Sequence, residues 1–182
     1  MSNSHPTLQV PWCQKLLSSP SLQGVSEFAS RFQPGDERSN NIFQQTLYNG
    51  KAVLAHVSFT RPCQEPDATT GIEECNLISL GTGVDGKNGR AHGGFNALIL
   101  DQLTGGCAYS SAGPNPIPPA TAWLNVEYKA PIDTPGVVLA RAWVTGMERR
   151  KIWVSGVIED GEGKVLATAR SLYVTARTGP KL

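Results

Sequence analysis

The chain has 182 residues, enough for one domain with a sizeable core and too few to promise two. Its 16 basic and 15 acidic side chains leave a formal charge of +1, which argues against a nucleic-acid surface and requires any anionic ligand to be met by a local cluster. Cys13, Cys63, Cys75 and Cys107 lack metal-ligand or redox spacing and read as reduced thiols, so neither a metal nor another cofactor is expected.

Residues 1–40 read as a polar, partly helical extension. Trp12, Leu16 and Leu17, then Leu22, Val25, Phe28 and Phe32, recur at helical spacing between Ser and Pro breaks and should pack over the outside of the core. Met1 to Val10 lack the basic start and apolar core of a signal peptide, and no run is long enough to span a membrane, so a cytoplasmic location is expected. The final Pro180-Lys181-Leu182 resembles the Ser-Lys-Leu peroxisomal address and keeps that second location open. Residues 41–176 read as the domain proper and 177–182 as a tail. Ile42 to Tyr48 and Ala52 to Phe59 flank Asn49-Gly50, the dipeptide that most favours a tight turn, and so predict a β-hairpin. Pro62 to Gly71 is a loop. Cys75 to Val84 predicts a strand running into Asp85-Gly86-Lys87-Asn88-Gly89, where Gly and Asn permit unusual backbone angles.

A helix is predicted from Gly93 to Ser111, apolar nearly all round, and such a helix needs cover on more than one side, which a curved sheet supplies. Its entry, Ala91-His92-Gly93-Gly94, leaves backbone N–H groups bare at the positive end of the helix dipole, a place suited to negative charge developing on a carbonyl. Asp101 is the lone carboxylate inside the apolar run. It either pairs with a donor from a neighbouring strand or does chemistry. His92 by itself reads equally as a loop residue hydrogen-bonded to a carbonyl.

After the proline-rich loop from Gly113 to Pro119 come four antiparallel strands, Thr121 to Tyr128, Val137 to Thr145, Lys151 to Glu159 and Lys164 to Val174. In the first, Ala122, Leu124, Val126 and Tyr128 share the face expected to meet the helix. Thr121, Trp123, Asn125 and Glu127 share the other, which suits a subunit interface or a substrate groove. Arg149-Arg150-Lys151, at the turn between two strands, is the one tight basic cluster; it reads as a phosphate site or simply as a solvated turn. Trp123, Trp143 and Trp153 read either as an acyl-pocket lining or as sheet packing.

This order of elements, with Gly86 to Asp101 and Thr121 to Pro131 as its specific parts, resembles the hotdog thioesterases of the phenylacetyl-CoA type over roughly residues 42–176. Leu80 to Gly86 is similar to a variant common among fungal acyl-CoA thioesterase-like proteins. The resemblance implies an α+β hotdog fold, a long central helix wrapped by a curved antiparallel sheet. It implies that the Gly93 N–H polarises a thioester carbonyl and that Asp101 acts as general base or nucleophile. It further implies that His92 orients the loop or the thioester, that Gly94 helps bind the substrate, and that Thr121 helps place water or substrate. Because the family shares each site between subunits, a homodimer and a possible dimer of dimers follow. One departure stands out: many members carry Asn or Gln six before the motif histidine, where this chain has Gly86, and Asn88 is the nearest candidate to replace it.

Hydrolysis of an acyl-CoA thioester is therefore the leading expectation. Release of an acyl chain from a carrier protein, or acyl binding without turnover, are the alternatives. No Gly-x-Ser-x-Gly elbow, dinucleotide fingerprint or phosphate loop competes with them.

Overall fold

In a computed structural model, which describes residues 5–27, 41–113 and 117–177, seven antiparallel strands curve around one long helix. The chain runs through helix α1 (Pro11–Leu17), strands β1 (Gln23–Glu27), β2 (Val53–Pro62) and β3 (Ile72–Leu80), and a small hairpin of β4 (Asp85–Lys87) and β5 (Arg90–Ala91). Helix α2 (Gly93–Ser111) follows, then β6 (Ala120–Tyr128), β7 (Gly136–Glu148), β8 (Lys151–Glu159) and β9 (Val165–Val174). The spatial order β1-β2-β3-β7-β8-β9-β6 makes β1 and β6 the sheet edges.

Helix α2 spans the predicted residues. Its buried positions fall in adjacent pairs one turn apart, Phe95 and Asn96, Ile99 and Leu100, Leu103 and Thr104, Cys107 and Ala108. This double stripe lies in the concave face of the sheet, where Ala140 and Ala142 of β7 and Ala167 and Ala169 of β9 are small enough to admit it. Leu98, Asp101, Gln102 and Gly105, on the other side of the helix, remain only half-buried.

The convex face has its own apolar cluster. Val57, Phe59, Cys75, Leu77 and Leu139 pack under Leu8 and Cys13, with Trp12, Leu16 and Leu17 of the amino-terminal segment around them. The expected external packing of the extension thus holds over its described part; Phe28 and Phe32, like Pro180-Lys181-Leu182, lie outside the described residues. Val25, however, is in a strand rather than a helix. The Gln23–Glu27 segment pairs with β2, whose outer backbone groups would otherwise lack partners.

Two further expectations are corrected. Ile42–Leu47 is a π-helical segment, not the first arm of a hairpin. Phe43, Leu47 and Tyr48 recur at helical spacing there, with Phe43 fully buried, and Asn49 closes the segment instead of making a two-residue turn. Its amide donates to the Thr46 carbonyl at 2.9 Å and its side-chain oxygen accepts from the N–H groups of Lys51 and Ala52 at 3.0 and 2.9 Å. The predicted Cys75 to Val84 strand ends at Leu80, because residues 81–84 turn under Lys51. A Cβ at Gly81 would sit 2.1 Å from the Lys51 carbonyl oxygen, so only glycine fits that approach.

On the convex face the Arg141 guanidinium meets Glu73 at 2.7 Å, Glu159 at 2.7 Å and Glu65 at 3.0 Å, while Arg61 holds the other Glu73 oxygen at 2.6 Å. Burial works against the Arg141 charge, but Glu159 and Glu73 outweigh it and hold its pKa above the ordinary range. The cluster fastens the 63–71 loop to the sheet, helped by a 2.8 Å hydrogen bond from the Trp143 indole to Asp67.

Candidate active site

The β4–β5 hairpin delivers the chain to the start of α2. Asp85 accepts the Gly89 N–H at 3.0 Å and the Thr134 hydroxyl, and His92 N–H reaches the Val84 carbonyl at 2.8 Å. His92 is the N-cap: its Nδ1 accepts the Gly94 N–H at 2.9 Å. This bond ties the His92 ring to the helix start and engages the Gly94 N–H. Gly93 is the first helical residue, and its N–H makes no hydrogen bond among the described residues. Its carbonyl accepts the Tyr128 hydroxyl at 3.0 Å.

The glycine at position 86 has a steric reason. A Cβ there would come 2.9 Å from both Cα and Cδ2 of His92, so a polar side chain at 86 would push the capping ring aside. Asn88 is exposed at the hairpin tip and does not line the adjoining cavity. That cavity, about 570 Å³, opens beside Gly93 and is bordered by Lys87, Arg90, Tyr128 and Lys129. The three cations are scattered in the sequence and meet only because the hairpin folds against the segment after β6.

Asp101 lies two turns further along α2. Both of its side-chain hydrogen bonds fall on Oδ1, from the Thr121 hydroxyl at 3.1 Å and the Tyr173 hydroxyl at 3.2 Å. No basic group pairs with it among the described residues, so the carboxylate is held by neutral donors. Thr121 reaches it through a bulge in β6. The strand pairs Thr121 with Tyr173 and Leu124 with Ser171, with a register shift between Thr121 and Trp123, so Thr121 and Leu124 share the helix side. The strict alternation predicted for this strand is therefore broken at its start, and Ala122 is exposed. Tyr173 is 1% exposed. Burial, and then the Asp101 charge, push its phenol up to about 12, so it serves as a hydroxyl donor.

Gly93 and Asp101 cannot serve one carbonyl within a chain: eight residues of helix separate them by about 12 Å. Nor does the basic turn join Gly93. Lys151 pairs with Val174, which also pairs with Ala120, placing the turn at the Thr121 end of β6, whereas Gly93 lies at the Tyr128 end. Arg149 adopts a left-handed φ of 52° and Arg150 donates to the Thr175 carbonyl at 2.9 Å, both on the exposed rim. The tryptophans do not line the Gly93 cavity. Trp143 lies under the Arg141 guanidinium, and Trp123 and Trp153 border a separate groove of about 490 Å³.

A long helix lying in the concave face of a curved antiparallel sheet is the hotdog fold of solved thioesterase structures. The fold matches that of BH2602 from Bacillus halodurans, solved with CoA, with a TM-score of 0.51 and 22% identity over 55% of this chain and 65% of that one. Residues 88–167 match the Thioesterase superfamily. It is 36% identical over 100 residues to the acyl-coenzyme A thioesterase THEM4 of Mus musculus, covering 54% of this chain and 41% of the mouse protein. It is 34% identical over 157 residues to THEM4 of Xenopus laevis, covering 85% of this chain and 65% of the frog protein. The chain thus spans less than two thirds of the length of these relatives.

Proposed function

We propose that the chain hydrolyses an acyl-CoA thioester in a homodimer whose sites each combine Gly93 of one subunit with Asp101 of the other. The observation that carries this reading is the Asp101 carboxylate: half-buried, held by two hydroxyls on one oxygen, without a cation partner among the described residues, and about 12 Å along the helix from a Gly93 N–H that no described residue engages. Strand β6 supports the second copy. It is an edge strand, with Trp123 and Tyr128 44% and 55% exposed. Antiparallel pairing of β6 with its copy about the strand's middle sets the Thr121 end of one beside the Tyr128 end of the other, and so brings Asp101 towards the partner's helix start.

In such a site the Gly93 N–H and the helix dipole stabilise the oxyanion. Asp101 takes a proton from the attacking water, the carbon–sulfur bond of the tetrahedral intermediate breaks, and the proton passes to the leaving thiolate. In the alternative role Asp101 attacks the carbonyl carbon itself, the carbon–sulfur bond breaks to release the CoA thiolate and leave a mixed anhydride, and water hydrolyses that anhydride to the free acid, returning the Asp101 carboxylate and giving its proton to the thiolate. Lys87, Arg90 and Lys129 beside Gly93, and the Arg149 to Lys151 turn beside the partner's Asp101, supply positive charge for the phosphates of CoA. The name of the THEM4 relatives and the CoA in BH2602 agree with that substrate class.

The test is thiol release from short, long and aromatic acyl-CoAs by the wild type and by Asp101→Asn. Turnover by the wild type and its loss in a dimeric Asp101→Asn variant are expected. Undiminished turnover by Asp101→Asn refutes the assignment, and a wild type inert towards every acyl-CoA shifts the substrate to an acylated carrier protein or leaves a binding domain.

A further inference from the structure

The carboxylate of Asp101 is connected to two buried hydroxyls that the reaction as described does not need. Tyr173 on β9 places its oxygen 3.2 Å from Asp101 Oδ1 and 3.0 Å from the Asp101 backbone carbonyl. The same oxygen lies 2.8 Å from Oγ1 of Thr104, which in turn lies 2.7 Å from the Leu100 carbonyl. Thr104 is 0% exposed, so no water completes this chain of contacts from its helix end.

Two hydroxyl protons serve this chain, and only one of them can lie between Tyr173 and Thr104. Two arrangements that keep a proton between these two oxygens differ in what they offer the Asp101 carboxylate. In one, Tyr173 donates to Asp101 and Thr104 donates to Tyr173. In the other, Tyr173 donates to Thr104 and Thr104 donates to the Leu100 carbonyl, leaving the phenol oxygen able to accept. They differ only by rotation about two C–O bonds, and no covalent bond changes. An ionised Asp101 selects the first, since a hydrogen bond to a charge is the stronger one. A neutral Asp101 selects the second.

We propose that Tyr173 and Thr104 are positioning residues whose hydroxyl protons follow the charge of Asp101, turning towards its carboxylate while it is ionised and back towards the helix when it is neutralised. The proposal rests on the reading of Asp101 given above, and it holds for both of its roles. Taking a proton from water and forming an anhydride each remove the negative charge at the carboxylate, and each returns it before the next turnover. In a dry surround, fixed donors suited to the anion alone would oppose that step. A pair that reverses its direction holds the side chain in one place through both states.

The experiment uses the full chain as a dimer, with steady-state hydrolysis of the best acyl-CoA. Tyr173→Phe should lower kcat about tenfold to a hundredfold, the size of one hydrogen bond to a charged group, with little change in KM. The variant should still fold, because Thr104 can donate to Leu100 unaided. Thr104→Val should lower kcat by a smaller factor and Thr104→Ser should recover most of that loss. In an Asp101→Asn background Tyr173→Phe should remove nothing further from the residual rate. Wild-type kcat in Tyr173→Phe, an equal loss in both backgrounds, or a Thr104→Ser that behaves like Thr104→Val overturns the relay. Loss in Asp101→Asn with none in Tyr173→Phe overturns the relay alone, whereas full turnover by Asp101→Asn overturns both it and the catalytic reading beneath it.

Discussion

Two inactive versions of this chain should make an active enzyme when mixed. Gly93→Pro removes one N–H and little else: proline is favoured at the first helical position, and His92 before it already has the extended ψ of 137° that a following proline demands. A Cβ at 93 meets Tyr128 only at 3.5 Å, an ordinary contact. Loss of this donor should cost roughly a hundredfold to a thousandfold in kcat. Asp101→Asn keeps an oxygen for the hydroxyls of Thr121 and Tyr173 but loses the base, at a cost of roughly a hundredfold to ten-thousandfold. In a heterodimer of the two, one site receives the intact Gly93 and the intact Asp101 while the other receives both substitutions. Random pairing makes about half the dimers mixed, each with one working site of two, so the mixture should recover about a quarter of the wild-type rate per chain. Differently tagged chains, co-expressed and purified through both tags, should give about half the wild-type rate, read as thiol release. A doubly tagged dimer no more active than its parents would refute the shared site, and with it the argument that about 12 Å of helix is too far for one chain to span.

Gly86→Asn should push the His92 ring out of its cap, lowering kcat and destabilising the fold by about 1–3 kcal/mol, as seen in thermal melts; a neutral result would mean the hairpin yields without disturbing the helix start. Arg141→Met strands Glu73, whose side chain is 3% exposed, beside Glu159 and Glu65 with only Arg61 to oppose them. It should cost about 3–5 kcal/mol, and a melting temperature within about 2 °C of wild type would contradict the burial argument. Cys75 and Cys107 are 1% and 4% exposed, and burial pushes both thiols far above the ordinary range, so they should resist iodoacetamide at mildly alkaline pH until denaturant is added. Mass spectrometry of the intact chain would reveal early labelling at either one and so disprove their inaccessibility.

Helix α2 and strands β6 to β9 were legible because their periodicities are long and their boundaries carry glycine or proline. The Asn49-Gly50 dipeptide misled for a local reason. Its asparagine caps the end of a helical segment as readily as it opens a hairpin, and only the burial of Phe43 decides between the two. Asp101 was visible as an oddity, but its partners were not. Thr121 reaches it through a bulge set by pairing with β9, and alternation along one strand cannot reveal an inserted residue. Tyr173 lies 72 positions away and looks like any inward aromatic. Lys87, Arg90 and Lys129 formed no run in the chain, whereas Arg149-Arg150-Lys151 did and drew attention to the opposite end of β6. Gly86 departs from a family pattern in the sequence, and the reason lies in the position of His92.

The two edges of the sheet are unlike. β6 is long and carries large side chains that a second copy can cover, while β1 has five residues, a left-handed glycine at 24 with φ 61° and a register shift between Gln23 and Ser26. If two copies join through β6 as proposed, both ends of the continuous sheet among the described residues are β1. A short, kinked strand offers little template for another chain, so strand addition that began at one edge has nowhere to continue. In the proposed dimer the amino-terminal segment would thereby do what a free β2 edge would not: it would make the pair the end of growth along the sheet and keep edge pairing from running on into a fibre.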